Sequence, residues 1–467
     1  MFKKIQRIHF VGIGGAGMSG IAEVLATLGY KVSGSDLKET DVTRRLRTLG
    51  ASIFIGHRAE HMEGAHVVVT STAVSSDNPE VIAAKARGVP VIPRIEMLAE
   101  LARLKYTIAV AGTHGKTTTT SMVASVLQAG GLDPTVIVGG RLKHIDSGAR
   151  LGRGDYLVAE ADESDGSFLR LSPALAIITN IDNDHLDYYH TFDRIGEAFV
   201  QYANRVPFYG CVIACLDDPP LRARIPHISR RVVTYGIDQP AQVRARQLIV
   251  ETGGTSFDVV EEGEVLGRVR LGVPGKHNVL NALAALAAGQ ELGIPFSQIA
   301  QGLGAFEGVG RRLELKGETQ GITVIDDYGH HPTEIRATLA ALRERYPKRR
   351  LVALFQPHRY SRTQALHDEF AQCFGDADRV YLLDIYPAGE KPLDGVTAEL
   401  ILKPLKKNHP AASALPASMT PERLREELRE GDVVLTLGAG DVWKWGERLL
   451  AEKSNERRNE QRAMSNE

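Results

Sequence analysis

Cysteine is scarce in this 467-residue chain, which has only Cys211, Cys215 and Cys373. An odd, sparse set excludes a disulfide framework and fits a reducing cytoplasm. Cys211 and Cys215 stand four apart in an apolar, strand-like run, so they share one face and read as core. No second Cys or His pair has zinc-ligand spacing. An excess of one charge is also lacking: 56 Lys and Arg oppose 57 Asp and Glu, for a formal net charge of −1. That balance argues against partners held by bulk electrostatics, such as nucleic acid or an anionic membrane surface. No apolar run approaches the roughly 20 residues of a membrane span. Met1-Phe2-Lys3-Lys4 passes almost directly into an expected strand, so no signal peptide is expected. No fixed-period repeat is visible. What remains is an ordinary globular composition, 43% hydrophobic and 24% charged, at a length that suggests about two to four domains.

The pattern along the chain is α/β. Arg7–Val11 reads as a strand, Gly12–Gly17 as a glycine turn, Met18–Leu28 as a helix stopped by Gly29, and Tyr30–Ser35 as a strand ending at Asp36. Further strands are expected at Ser52–Ile55, His66–Thr70 and Val89–Ile92, and this alternation implies a parallel sheet covered by helices. Leu98–Lys105 is mixed in charge and reads as a lead into the next block. There the expected strands are Thr107–Ala111, Thr135–Val138, Tyr156–Glu160 and Ala174–Thr179, with a helix at Phe192–Asn204. Between Pro219 and Val273, short alternating stretches (Thr255–Val260, Val265–Leu271) suggest a small antiparallel sheet attached to this block. Asn278–Leu292 is strongly helical. A third α/β block has expected strands at Ile322–Asp326, Leu351–Phe355, Val380–Asp384 and Val433–Leu437. Its expected helices are Thr333–Tyr346, Thr363–Phe374 and Pro421–Arg429. The resulting division is three domains at residues 1–103, 104–312 and 313–452: a Rossmann-like N-terminal domain, a P-loop ATPase-like central domain and a Rossmann-like C-terminal domain. A nearly apolar-free tail at 453–467 is expected to be disordered.

The strongest local signal follows the strand Thr107–Ala111. Gly112-Thr113-His114-Gly115-Lys116-Thr117-Thr118 has the order strand, glycine loop, helix. Backbone N–H groups and a helix N-terminus there suit a polyphosphate, with Lys116 reaching the β/γ-phosphates and the Thr117 hydroxyl on Mg²⁺. Val110 stands where the usual first Gly would be; the alternative is a plain Gly/Thr-rich turn. Gly12-x-Gly14-x-x-Gly17, followed by Asp36 at the next strand end, fits a diphosphate-binding turn, or a tight turn with no ligand. Glu160-Ala161-Asp162-Glu163-Ser164-Asp165 and Asp182-Asn183-Asp184-His185-Leu186-Asp187 both follow strands. They are candidate Mg²⁺ loops, with Glu160 the preferred ligand; the alternative is a solvated acidic loop. Asn278 suits an adenine edge or a helix cap. In the third block, Asp327-Tyr328-Gly329-His330-His331-Pro332 and Gln356-Pro357-His358-Arg359-Tyr360-Ser361-Arg362 each join a strand to a helix. Arg359 and Arg362 could clamp a small carboxylate, and His330 could orient or deprotonate an amine.

With these motifs in this order, the chain resembles the Mur ligases of peptidoglycan precursor synthesis from about residue 5 to residue 450. The carriers are Gly12–Gly20, Gly112–Thr118, Glu160–Asp165, Asp184–Asp187, His277–Asn281, Asp327–Pro332 and His358–Arg362. The resemblance also covers the altered phosphate loop. It implies domains for a UDP-substrate, ATP and an amino acid. Around the UDP moiety it implies Gly14, Gly15, Ala16, Gly17, Met18, Ser19, Asp36, His57 and Ser71. For ATP it implies Gly112 to Thr118, Asn278, Asn281 and Asp327, and for Mg²⁺ it implies Thr117, Glu160 and His185. For the incoming L-alanine it implies Tyr328, His330, Arg359 and Arg362. Sister ligases that act later carry a carbamylated lysine where Phe199 stands here, which points to the alanine-adding branch. The implied reaction passes the γ-phosphoryl of ATP, beside Lys116, to the lactyl carboxylate of UDP-N-acetylmuramate. Alanine then displaces phosphate from the acyl phosphate. A cytoplasmic enzyme, monomeric or weakly dimeric, that closes its domains on its ligands is the expectation. A rival is a recycling ligase that adds a preformed peptide; a nicotinamide-dependent oxidoreductase would leave the phosphate loop without a purpose.

Overall fold

The computed structural model describes residues 5–451 apart from 16, 72, 143–146, 252 and 417, so Ala16 and the tail at 453–467 lie outside the described residues. Three sheets organise the chain. The first is wholly parallel and runs, edge to edge, Ser52–Ile55, Lys31–Asp36, Arg7–Val11, Val67–Thr70, Val91–Pro93. Its strand order reverses direction beside Arg7–Val11, and in such sheets ligands bind beyond the carboxyl ends at that point. Gly12–Gly17 lies there.

The central sheet has ten strands. Tyr106–Ala111 lies between Tyr156–Glu160 and Leu175–Ile178, in parallel register with both. Its Ile and Val side chains are fully buried because both faces are covered. The alternating strands expected after Pro219 are present as Gly254–Glu261 and Glu264–Leu271. They continue one edge of the central sheet, reached through Cys211–Cys215, Val232–Gly236 and Val243–Glu251. Alternation reveals a half-exposed strand but not its neighbour, so this continuity is not visible in the sequence.

The third sheet is ordered Glu314–Thr319, Ile322–Asp327, Val433–Leu437, Leu351–Phe355, Arg379–Leu382, Ala412–Ala414. It is parallel except for the first pair. Cα packing divides the chain into two compact units. One holds the first two sheets (Met1–Ile249, Ser256–Gly272, Asn278–Val309), and the other holds Val250–Thr255, Val273–His277 and everything from Gly310 onward.

Two local readings change. The stretch read as a lead into the central block is the end of a helix, Arg94–Ala102. Ile95, Leu98 and Leu101 form its buried stripe, and Arg94, Glu96 and Glu100 gave it a mixed-charge look. In the third block the edge strand Glu314–Thr319 and the helix Glu399–Asn408 are additions. The first has a mostly polar sequence and the second carries Pro404 inside it. Among the described residues no helix is long and apolar enough to cross a membrane.

All three cysteines are buried and unpaired. Burial pushes the Cys211 and Cys215 thiols up to about 12, and a thiol is inert as long as it holds its proton. Titration with a thiol reagent at pH 8 is therefore expected to find no fast-reacting cysteine in the native protein and all three after denaturation.

Candidate active site

Three loops leave adjacent strands of the central sheet at the same end, because Val110 pairs with Glu160 and Ala111 with Ile178. The phosphate loop leaves Ala111. Gly112 and Gly115 take φ of 132° and 83°, values that a side chain rarely tolerates. A Cβ on Gly112 would strike the Thr179 hydroxyl, and one on Gly115 would lie 2.8 Å from Asn281 Oδ1. The neighbouring loop fixes the path: the Asn180 side chain accepts from His114 N at 2.8 Å, Thr179 Oγ1 donates to His114 O at 2.6 Å, and Asp182 N donates to Thr113 Oγ1 at 2.9 Å. His114 Nε2 meets Asp182 Oδ2 at 2.8 Å. Below the loop, Thr119 Oγ1 donates to Asn281 Oδ1 at 3.0 Å, and Asn281 Nδ2 donates to Asn278 Oδ1 at 3.3 Å. The two asparagines thus brace the loop from a buried position.

The N–H groups of Gly115, Lys116 and Thr117 have no protein partner among the described residues. Open donors at the head of a 14-residue helix are the fit a polyphosphate requires. Lys116 Nζ donates to Gly112 O (2.7 Å) and Thr113 O (3.2 Å), and lies 2.9 and 2.8 Å from the two oxygens of Glu163. Burial works against the ammonium, but the charges of Glu163, Asp162 and Glu160 outweigh it and raise the Lys116 pKa. Of the acids, then, Glu163 is the one at the lysine. Glu160, preferred on sequence as the Mg²⁺ ligand, accepts from Gly139 N at 3.0 Å. His185 sits in the left-handed region (φ 60°), with Nε2 3.8 Å from Glu163 Oε1 and 3.7 Å from Asp184 Oδ2. Carboxylates that act on Lys116, those of Glu163 and Glu160, beside open N–H donors suit a hard divalent cation.

The first glycine turn is held by the strand beside it. Ser35 O accepts from Gly12 N and Ile13 N at 2.8 and 3.0 Å, and Asp36 Oδ2 accepts from Gly14 N at 2.8 Å. Met18 is buried and Ser19 half-buried in the first helical turn, and Ser71 follows the end of the strand Val67–Thr70. Arg94 crosses Gly17, where a Cβ would collide with its guanidinium, and its Nη2 reaches Asp162 Oδ2 at 3.2 Å. Neither Arg94 nor Glu163 was singled out from the sequence. Glu163 is one of several acids in a run, and Arg94 lies in a stretch with no motif.

His57 stands over a buried carboxylate, Glu80. Glu80 accepts from His9 Nε2 (2.9 Å), Ser35 Oγ (2.7 Å) and Arg58 N (3.2 Å), with His61 Nδ1 at 3.3 Å and His57 Nδ1 at 3.4 Å. Burial raises its pKa, but these donors win and hold it at about 2, below the ordinary 4.5. A lowered folded value adds stability above the unfolded value, and that stability is lost as pH falls toward the folded one. Urea unfolding at stepped pH is thus expected to show Glu80→Gln flattening the loss of stability between pH 4.5 and about 2.

In the unit that holds the third sheet, Asp327 ends the strand Ile322–Asp327 and accepts from Leu313 N (2.7 Å) and Gly329 N (2.8 Å). Burial raises its pKa to about 6 against the pull of Arg312. Glu334, in the first turn of the helix Pro332–Arg345, accepts from His330 N at 3.0 Å and from Arg312 Nη1 at 3.1 Å. Arg311 and Arg312 both stack on the Tyr328 ring. The Tyr328 and His330 rings meet edge to face at 5.4 Å, His330 lies 5.8 Å from His358, and Arg362 reaches His358 Nδ1 at 3.5 Å. The structure thus gathers Tyr328, His330 and Arg362 in one cluster. Arg359 is adjacent in chain: its N donates to Tyr386 O at 2.9 Å, while its buried Nε has no partner among the described residues. Arg311, Arg312 and Glu334 are additions to the site; in sequence the arginines stand in a charged turn before a strand and Glu334 is one polar residue of a helix.

Comparison with known proteins adds a family to this geometry. Residues 7–106 match the family model described as "Mur ligase family, catalytic domain", 110–289 the "Mur ligase middle domain" and 311–440 the "Mur ligase, glutamate ligase domain". The chain belongs to the Mur ligase family. A UDP-N-acetylmuramate–L-alanine ligase of Endomicrobium trichonymphae is 57% identical over 97% of this chain and 100% of its own length. The protein of the same name in Geobacter sulfurreducens is 56% identical over 97% and 98%. The crystal structure of UDP-N-acetylmuramate-alanine ligase MurC from Thermotoga maritima superposes with a TM-score of 0.81 at 33% identity, covering 96% of this chain and 99% of that one. A murein peptide ligase from Psychrobacter arcticus gives 0.71 at 26%, covering 96% and 98%. Phe199 is buried edge-on against Phe168 at 5.4 Å.

Proposed function

We propose that this protein joins L-alanine to the lactyl carboxylate of UDP-N-acetylmuramate with cleavage of ATP, giving UDP-N-acetylmuramoyl-L-alanine, ADP and phosphate for peptidoglycan precursor synthesis. The observation that carries the reading is the end-to-end similarity, at 57% and 56% identity, to two UDP-N-acetylmuramate–L-alanine ligases. In this reading residues 1–103 bind the UDP-substrate, 104–312 bind ATP and 313–452 bind alanine. The enzyme works in the cytoplasm as a monomer or weak homodimer.

The glycine turn Gly14–Ser19, with Asp36, His57 and Ser71, receives the UDP moiety, and Arg94 adds a positive charge beside the diphosphate. The open N–H groups at Gly115, Lys116 and Thr117 hold the triphosphate of ATP. Mg²⁺ held by Thr117, Glu160 and His185, with Glu163 beside them, would lower the charge on the phosphates. A lactyl carboxylate oxygen attacks the γ-phosphorus and ADP leaves. Lys116 is positioned to stabilise the charge on the transferring group. The alanine nitrogen then attacks the acyl carbon, and phosphate departs with the oxygen that made the attack. Arg359 and Arg362 grip the alanine carboxylate. His330 Nδ1 lies 3.1 Å from Tyr328 O. A carbonyl only accepts, so Nδ1 donates there, and His330 is the group we assign to take the amine proton.

The test is phosphate release with UDP-N-acetylmuramate, ATP and Mg²⁺, with and without L-alanine, and mass spectrometry of the product. Release that needs alanine, and a product heavier by one alanyl residue, is expected. Turnover only with a tripeptide acceptor would move the chain to the peptide-recycling branch.

A further inference from the structure

We propose that buried Glu80 is a positioning residue for the nucleotide site: through Ser35 and by facing the ring itself, it fixes the tautomer of His57 so that Nε2 accepts a hydrogen bond from an N–H or O–H of the nucleoside. The proposal rests on the reading that His57 borders the UDP moiety. Glu80 is fully buried and projects from the helix Pro79–Ala86. It faces side chains of two strands, His9 on Arg7–Val11 and Ser35 on Lys31–Asp36, and groups of the segment after the third strand, Arg58 N, His57 and His61.

The proton positions follow from what each group can do. An ionised carboxylate only accepts. Ser35 has one hydroxyl proton and gives it to Glu80 Oε2 at 2.7 Å. Ser35 Oγ also lies 2.9 Å from His57 Nδ1, and with its own proton committed it can only accept there. His57 therefore carries its proton on Nδ1, with Glu80 Oε1 3.4 Å away as a second acceptor. Nε2, across the ring, has no protein partner among the described residues, and the side chain is 20% exposed. The other histidines are set by the same carboxylate. His61 gives Nδ1–H to Glu80 and accepts from Arg58 Nε at 3.1 Å, and His9 gives Nε2–H and lies 2.9 Å from Ser33 Oγ.

A bare Nε2 is the wrong partner for a phosphate oxygen and the right one for a ribose hydroxyl or the imide N–H of uracil. The same unit holds the glycine turn, since Ser35 O receives Gly12 N and Ile13 N. One buried anion therefore ties the turn's supporting strand to the state of the histidine. With a carboxamide in place of the carboxylate, Ser35 loses its strong acceptor and can donate to His57 Nδ1, which moves the ring proton to Nε2.

The experiment is ¹⁵N NMR of histidine-labelled protein, full length, native and with E80Q, S35A or H57F, together with steady-state KM for each substrate. Native His57 is expected as the Nδ1–H tautomer. Glu80→Gln is expected to shift it to Nε2–H and raise KM for UDP-N-acetylmuramate about 10–100-fold, with KM for ATP and alanine unchanged. Ser35→Ala lets Nδ1–H face Glu80 directly, so its tautomer is expected to stay native. A native Nε2–H tautomer, or one that Glu80→Gln leaves unchanged, overturns the proposal; the native measurement decides even if E80Q fails to fold. An unchanged KM for the UDP-substrate in H57F would instead remove His57 from the nucleotide site, whatever its tautomer. UDP analogues identify the donor: 2′-deoxy, 3′-deoxy and N3-methyl forms are compared, one of them is expected to bind more weakly, and equal binding of all three overturns the acceptor role.

Discussion

Replacing Lys116 with alanine is expected to lower kcat by about 10³-fold, the scale set by single groups that stabilise charge on a transferring phosphoryl group. The lysine lies within 3.2 Å of two loop carbonyls and is paired with Glu163, so its ammonium is held in place before any ligand arrives. A preorganised cation costs no rearrangement during the reaction, and its loss falls on the transition state. Lys116→Ala also leaves Glu163 buried without its counter-charge, and that acid then takes a proton instead of remaining ionised. The variant is therefore expected to stay folded, which thermal unfolding checks, while single-turnover phosphate release reads the chemical step. A variant with normal kcat and only a raised KM for ATP would mean that Lys116 holds the ground state alone.

Arg359→Ala is expected to raise KM for alanine by about 10²–10³-fold, as expected when one partner of a desolvated charge pair is removed. Arg359 has φ 70° and ψ 142°, a region that glycine occupies almost alone. Such strain costs about 1–3 kcal/mol, and it persists here at the head of the helix Tyr360–Phe370 with the guanidinium Nε unpartnered. Backbone strain and binding can be separated. Arg359→Gly should bind alanine as poorly as Arg359→Ala yet melt at a higher temperature, because glycine relieves the strain. Arg359→Lys should recover part of the affinity, since a point charge replaces the fork. Equal melting temperatures for the Gly and Ala variants would mean the conformation is not strained, and an unchanged KM would remove Arg359 from the substrate.

The parts of this protein legible in the sequence are those fixed by short-range rules. Tyr156–Glu160, Leu351–Phe355 and Val433–Leu437 fall at the expected residues because buried parallel strands are apolar runs with sharp ends. Glycine turns after strands located the phosphate loop and the first turn, since positive φ at Gly112, Gly115 and Gly17 leaves few other residues possible. Pairing across the fold was not legible. That Glu163 is the acid that meets Lys116 depends on how the loop after Glu160 turns, and four acids in one run look alike in sequence. The Glu80 cluster draws on four separate segments, and nothing local in the sequence links their ordinary polar residues. Arg94 lies on a helix whose buried stripe was hidden by its charges.

The central claim is that the γ-phosphoryl group passes to the lactyl carboxylate before alanine attacks. It is tested most directly with UDP-N-acetylmuramate carrying ¹⁸O in that carboxylate, by mass analysis of the phosphate released during turnover with ATP and alanine. One ¹⁸O per phosphate is expected, because the attacking oxygen leaves with phosphorus. Phosphate with no ¹⁸O, formed along with the alanyl product, would contradict the account.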